Sequence, residues 1–279
     1  MIDPSRFSRN IALFGAAGQE LISAARVAVI GLGGLGSHAV QQLCHLGVEQ
    51  LVLADPDIVT ASSLNRVVGT TPADVDSHKA KTAVAQRLAQ QIQPACSVDA
   101  FTSDFRDPHA KSAIAQCSSV ISCLDDDAAR LDLTELCCRI GIPFFDVATD
   151  TGGAHDGLWY GGRVLFSGLG DRCPICMDLL DQQALVRATT TPEQAAVDAA
   201  LYGVSRDDLG STGPSVVSLN GVLASLAVME WMVWTTELRD PSPLLEYRGV
   251  AAAVFVNRDA PRAGCYYCGL WPRRQERSA

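Results

Sequence analysis

Lysine is nearly missing from this 279-residue chain: Lys79, Lys81 and Lys111 are its three lysines, and arginine supplies the rest of the 22 basic residues. Against 31 Asp and Glu they leave a net charge of −9. The pI is about 5.0. No basic stripe appears, which argues against a nucleic-acid-binding surface and disfavours RNA as a substrate. The opening "MIDPSRFSRN" lacks the apolar segment of a secretory leader, and no run of 18 apolar residues occurs. The expectation is a cytoplasmic protein. Neither an internal repeat nor a low-complexity linker is present, so residues 1–279 read as one continuous unit with a first half to 150 and a second from 151. Ten cysteines in a leaderless chain point to a reducing compartment, with thiols used for metal or chemistry and not for disulfides. With 48% hydrophobic residues the chain has enough apolar material for a large core.

The stretch "VAVIGLGGLGSHAV" from Val27 to Val40 carries Gly31, Gly33 and Gly36 as G-x-G-x-x-G after an apolar run. Arg26 to Ile30 reads as a buried strand and Ser37 onward as a helix with apolar Val40, Leu43 and Leu46. Glycines between them permit a tight turn and let backbone N–H groups approach a phosphate at the helix N-terminus. A second strand, Gln50 to Ala54, ends at Asp55, about 20 residues beyond the last glycine, where a carboxylate can bond a ribose hydroxyl. Taken alone, this half-unit favours NAD.

The alternation continues through the first half. Helices are expected at Lys79–Gln91, Pro108–Ala115 and Asp127–Ile140, and strands at Ser97–Phe101, Ser119–Leu124 and Phe144–Ala148. That pattern means a doubly wound α/β architecture, a mostly parallel sheet covered on both faces. The second half differs: "GLWYGGRVLFS" and "LLEYRGVAAAVFVNR" read as antiparallel strands flanking one long apolar helix, Val216 to Trp234. The polar stretch Asp178–Pro214 reads as helix-poor.

"CPIC" (Cys173, Cys176) and "CYYC" (Cys265, Cys268) are two C-x-x-C knuckles. Together they can bind one tetrahedral Zn²⁺ through four thiolates, a closed structural site with no open position for catalysis. Redox-active C-x-x-C is the rival reading. Cys44, Cys96, Cys117, Cys123, Cys137 and Cys138 sit in apolar elements and read as buried, inert thiols.

Between NAD and a phosphate-transfer cofactor, three later stretches bear on the choice: "DPDIVTASSLNRVVG", "DSHKAKTA" and "SCLDDDAAR". An arginine, a lysine and an acidic residue at successive strand ends suit a triphosphate and its Mg²⁺, since such catalysis is positioning plus electrostatics. Asp125 ends its strand as a metal-holding carboxylate should. Asp126 or Asp127 suits the cap of the following helix.

These motifs, in this order, resemble the ThiF/MoeB/ubiquitin-activating (E1-like) superfamily of adenylating enzymes. "RFSRN" resembles its R-Y-x-R-Q, "GLGGLGS" its glycine loop, "SSLNR" its S-N-L-N-R, "HKA" its P-K-A and "LDDDAAR" its T-D-N-x-x-x-R, while the cysteine pairs occupy its zinc positions. The resemblance covers nearly the whole chain. It implies a Rossmann-like sheet extended by antiparallel strands, a four-cysteine zinc site, and Mg·ATP as the nucleotide. By the same resemblance Gly31, Gly33, Gly34 and Gly36 admit the nucleotide, with Asp55, Asp57, Ser63 and Asn65 around its ribose and phosphates. Arg66 and Lys79 grip phosphates, Asp125 holds Mg²⁺, and Arg9 reaches the active site of the other protomer in a homodimer. The implied reaction is adenylation of the C-terminal glycine of a small ubiquitin-like protein ending in Gly-Gly, in a bacterial cytoplasm. Ser63 stands where that family has Asn, and His78 where it has Pro.

"RATTTPEQ" (Arg187–Gln194) resembles the Cys-Thr…Thr-Pro segment of thioester-forming members, with Ala188 at the cysteine's place. Two readings are open. In one, a nucleophilic thiol has been lost at 188 and a conjugating enzyme acts downstream. In the other, the enzyme stops at the adenylate, activating a sulfur carrier or a ribosomal peptide. Rivals outside that chemistry are an NAD(P)-dependent oxidoreductase and an inactive scaffolding subunit.

Overall fold

A computed structural model describes residues 4–152, 159–168, 170–181 and 215–272. The chain opens with helix α1 (Ser8–Ala24), which is broken by non-helical backbone at Gly15. Arg6 anchors the segment before it, donating to Gln93 Oε1 and to the Ile92 carbonyl while lying over the Phe7 ring. Then come β1 (Arg26–Ile30), α2 (Gly34–Leu46), β2 (Gln50–Ala54) and a short α3 (Pro72–Asp76). Next are α4 (Lys81–Ile92), β3 (Ser97–Phe101), α5 (Pro108–Ile114), β4 (Ser119–Ser122) and α6 (Asp127–Ile140). The second half holds β5 (Phe144–Gly152), β6 (Trp159–Ser167), α7 (Val217–Thr235), β7 (Leu244–Arg248), β8 (Ala253–Asn257) and a single turn, α8 (Tyr266–Gly269).

All eight strands form one sheet in the order β3-β2-β1-β4-β5-β6-β7-β8. The first five are parallel and the last three are added antiparallel. This is the doubly wound sheet with an antiparallel extension that the alternation predicts. Burial explains why β1 and β2 are apolar beyond their first residue. Val27 and Val29 of β1 join one core with α2 and α7, while Ala28 and Ile30 join the other with α5 and α6. Side chains of alternate residues point to opposite faces, so both faces of the strand need apolar residues.

Two elements differ from expectation in ways that shape the cleft. β4 ends at Ser122, two residues early, with Cys123 N making the last bond to β1 at the Ile30 carbonyl. β5 runs to Gly152, four residues beyond its expected end, because it pairs with β6 after its pairing with β4 stops at Asp146. The helix expected from Lys79 begins at Lys81, since Lys79 is held extended by its carbonyl accepting from Val59 N and by an Ile58–Ala80 bridge.

By length and composition alone, α7 could cross a membrane, yet 56% of its apolar window is buried inside the protein. Trp231 is fully buried and donates from Nε1 to Ser119 Oγ at 2.9 Å. Glu230, also buried, is held by both amino nitrogens of Arg239 at 2.7 and 2.8 Å and by Ser242 N. A buried carboxylate so paired marks α7 as a core helix.

Candidate functional site

The strand order reverses direction between β1 and β4, and loops leaving the two carboxyl ends diverge there. In open α/β sheets this switch point is where ligands bind. A cleft of about 740 Å³ opens at this place, within the range for small-molecule sites.

Its floor is the glycine turn. Gly31 has φ +85, and a Cβ there would press on the Cys123 carbonyl 2.7 Å away. A Cβ at Gly36 would overlap the Gly31 carbonyl, and one at Gly34 would overlap the Asn220 amide. Around Gly33 nothing lies within 4 Å of where a Cβ would stand. Three glycines therefore serve close packing of strand, helix and α7. Gly33, the residue capping the N-terminus of α2, is the one open to a ligand, where unpaired helix N–H groups favour an anion.

Asp55, at the end of β2, is 5% exposed and accepts from Leu32 N at 2.6 Å and from Asp57 N at 2.8 Å. Burial pushes its carboxyl upward, opposed by the Lys81 charge and by those two amides. Lys81 Nζ lies 2.7 Å from Asp57 and 4.0 Å from Asp55. Arg66 lines the cleft and donates to the Ser62 carbonyl. Asp125 is exposed on the opposite side, next to Asp126, which caps α6 by accepting from Ala129 N at 2.7 Å.

Of the residues singled out from sequence, the cleft brings together Gly31, Gly33, Gly34, Asp55, Asp57, Arg66 and Asp125. Gly36, Ser63, Asn65, Lys79 and Arg9 are not in its lining. Ser63 is buried, its hydroxyl accepting from Thr60 N at 3.1 Å, so it builds the turn that presents Arg66. Lys79 is exposed, and the lysine facing the cleft from that stretch is Lys81. Arg9 is exposed on α1. Position 188 and residues 182–214 lie outside the described residues.

Sequence reasoning missed Lys81, Asn220, Arg130 and Arg163 as lining residues. Arg130 is nearly sealed, donating to Asp146 Oδ1 at 2.6 Å and to the carbonyls of Leu124 and Val147. Its position in "LDDDAAR" was a usable signal. Asn220 and Arg163 come from distant segments and gave none.

The residues present suit a nucleoside triphosphate with its Mg²⁺. An open glycine at a helix N-terminus, a cation without a carboxylate partner among the described residues (Arg66) and an exposed strand-end carboxylate (Asp125) are the donor and acceptor types such a ligand uses. The cysteine pairs also converge. The Cys173–Cys176 sulfurs are 3.7 Å apart, Cys173–Cys265 3.6 Å and Cys176–Cys268 3.7 Å. A tetrahedron with Zn–S of about 2.3 Å has edges of about 3.8 Å, so the cluster fits one zinc ion. The other six cysteines are buried, and burial pushes Cys123, beside the cleft, up to about 12, as inert thiols behave.

The profile of the ThiF family matches residues 7–267. The chain is 35% identical over 165 residues to the sulfur carrier protein ThiS adenylyltransferase of Escherichia coli (strain K12), covering 58% of this chain and 62% of that one. It is 34% identical over 140 residues to the SAMP-activating enzyme E1 of Haloferax volcanii, covering 50% of this chain and 51% of that one. The matched region thus spans about half to three-fifths of these relatives' lengths. Among solved structures, E. coli MccB with MccA-N7isoASN superposes with a TM-score of 0.73 over 96% of this chain and 75% of that one, at 18% identity. That likeness is one of fold.

Proposed function

Because the chain belongs to the ThiF family, we propose that it is an adenylyltransferase that uses Mg·ATP to activate a C-terminal carboxylate. The observation that carries this reading is the cleft at the switch point, where Gly33, Arg66 and Asp125 face one space. The acceptor we propose is a small ubiquitin-like protein ending in Gly-Gly, because glycine alone lets an extended tail lie in a narrow channel.

On this reading the N–H groups at the start of α2 and the Arg66 guanidinium hold the phosphates, while Asp55 faces the ribose. Asp125 would hold Mg²⁺, which supplies charge neutralisation as the bond to pyrophosphate breaks. The acceptor carboxylate attacks the α-phosphorus, pyrophosphate leaves with the electron pair of the broken P–O bond, and an acyl-adenylate remains. Lys79, near the cleft in sequence, and Arg9, on the outer face of α1, act on the phosphates from outside this lining, Arg9 across a homodimer. Gly31, Gly34 and Gly36 shape the loop, with Asp57, Ser63 and Asn65 beside it. Zinc at Cys173, Cys176, Cys265 and Cys268 is structural, the whole of 1–279 is one adenylation unit, and the enzyme works in the cytoplasm of a bacterium.

The finer question concerns the fate of the adenylate. We propose that a thioester step has been lost with the cysteine at 188. The second reading, activation of a sulfur carrier or peptide with no thioester step, is favoured by what one relative is named for, adenylyl transfer to the sulfur carrier ThiS.

One experiment tests both levels. The chain and its Ala188→Cys variant are mixed with Mg·ATP and a Gly-Gly-ending ubiquitin-like protein encoded beside it. Pyrophosphate is monitored while intact mass is read without reductant. Pyrophosphate release is expected from both proteins, with a reductant-labile adduct on the variant alone. Release without any adduct selects the second reading; no release from either protein removes adenylation of such a carrier.

A further inference from the structure

Among the described residues five cations line the cleft, and three are neutralised in place. Lys81 pairs with Asp57, Arg106 with Asp104 and Asp132, and Arg130 with Asp146. Arg66 and Arg163 form no ion pair among the described residues. They belong to opposite walls. Arg66 lies in the segment that leaves β2, whereas Arg163 is on β6. Those strands are four ladder spacings apart in the sheet, about 19 Å at roughly 4.8 Å each. The two guanidiniums therefore enter the cleft from different elements.

The surroundings of Arg163 are built, not incidental. Beyond Asp146, β5 continues against β6 alone and rises past the end of β4 as a wall, with Arg163 opposite Ala148 in the ladder. Arg163 Nη2 donates to the Leu179 carbonyl at 2.6 Å, which fixes the plane of the fork. Its Nε is sealed from solvent with no partner among the described residues. Nη1 is not among the sealed atoms and donates no hydrogen bond to them. Burial lowers the pKa of this guanidinium, while the charges of Asp146, Asp127 and Asp150 act the other way although none of them is its ion-pair partner among the described residues. Such a group is costly unless an anion completes it.

We propose that Arg163 binds the C-terminal carboxylate of the acceptor, which lies along the β5–β6 wall with its end toward Asp125. The proposal rests on the adenylation reading above and names the residue that recognises the acceptor. With Nη2 on the Leu179 carbonyl and Nε sealed, Nη1 is the group left to give a carboxylate one charge-assisted hydrogen bond. One carboxylate oxygen stays on Nη1 while the other forms the bond to the α-phosphorus, and the bond from that phosphorus to the pyrophosphate oxygen breaks. The carboxylate is already ionised at neutral pH, so no proton moves.

The test uses the full chain, its Arg163→Gln and Arg163→Lys variants, and two fluorescent hexapeptides, Ala-Ala-Ala-Ala-Gly-Gly as the free acid and as the C-terminal amide. Binding is measured with Mg²⁺ and α,β-methylene-ATP present, and affinity for that nucleotide is measured separately. The unsubstituted chain is expected to prefer the acid by about tenfold. Arg163→Gln should bind acid and amide alike, Arg163→Lys should keep part of the preference, and nucleotide affinity should stay within about twofold in both. Where Arg163→Gln does not fold, Arg163→Lys carries the comparison, since a reduced preference for the acid is expected of it.

Equal binding of acid and amide by the unsubstituted chain overturns the proposal, as does failure of the acid peptide to bind up to about 10 mM. So does a loss in Arg163→Gln that falls on the nucleotide, which would assign Arg163 to the phosphates. Failure of the unsubstituted chain to bind the nucleotide is a different result and overturns the adenylation reading itself.

Discussion

On the parallel side of the cleft, β1, β2 and β4 stop at the crevice and hand over to glycines and loop amides. On the antiparallel side, β5 and β6 continue past it and present side chains, Arg163 among them. The first wall meets a ligand with backbone N–H groups and one or two charges. Its tolerance for substitution is set by how closely main chains approach, as the Gly36 position against the Gly31 carbonyl shows. The second wall is held from behind. Leu179, which accepts from Arg163, lies three residues beyond Cys176, and Asp181 N donates to Asp127 at 2.7 Å. The cysteine cluster thus ends in the wall of side chains, not in the wall of glycines. On the proposed reading, a nucleotide, common to many enzymes, suits a backbone site, and a particular acceptor suits side chains.

Substitutions that act on one wall alone sharpen this comparison. The largest effect is expected from Asp125→Ala, which removes the exposed carboxylate at the end of β4. Pyrophosphate exchange should fall by roughly 10³-fold, with thermal unfolding unchanged because Asp125 makes no hydrogen bond or ion pair among the described residues. Exchange at the level of the unsubstituted protein would refute the metal-holding role.

Within the glycine turn, two single-methyl additions should separate packing from binding. Gly36→Ala places a Cβ against the Gly31 carbonyl, and the overpacking should cost about 3 kcal/mol in denaturant unfolding. Gly33→Ala meets open space at a φ of −71, outside the left-handed region, so stability should hold while nucleotide affinity falls about tenfold. Equal destabilisation by both would break the distinction between the two glycines.

Cys265→Ser acts from behind the second wall. Removing one of four thiolates should lower bound zinc per chain and the melting temperature by about 5 °C. Because the cluster adjoins Leu179, peptide binding should weaken by about threefold and nucleotide binding by less. Zinc content and melting both unchanged would remove the staple. A loss confined to nucleotide binding would reverse the assignment of walls.

How much was legible beforehand divides along the same line. The parallel half was readable because local pattern and tertiary role agree there. β1, β2 and β3 were placed to the residue, β1 and β2 because short apolar runs between glycines and helical periods have few alternatives. α6 was likewise placed to the residue, with Asp126 at its start. α1 went unread beyond its motif, since the break at Gly15 and its exposed face blur the helical period. In the cleft lining, Asp55 and Asp125 were legible because each stands just past a strand end, and Arg66 because it lies within a motif. Lys81 was passed over for Lys79, two residues away. Only the Ile58–Ala80 bridge, a long-range pairing, delays the helix and turns Lys81 toward Asp57.

By itself, then, the sequence determined the order of strands and helices, the doubly wound sheet, the glycine turn and the two cysteine knuckles, because each is written in residues close together along the chain. Only the tertiary structure decided which glycine faces open space, which lysine enters the cleft, and that Arg163 and Asn220 belong to it at all. Those outcomes depend on contacts between segments tens to nearly two hundred residues apart, where main-chain approach and burial, not local periodicity, choose the neighbours.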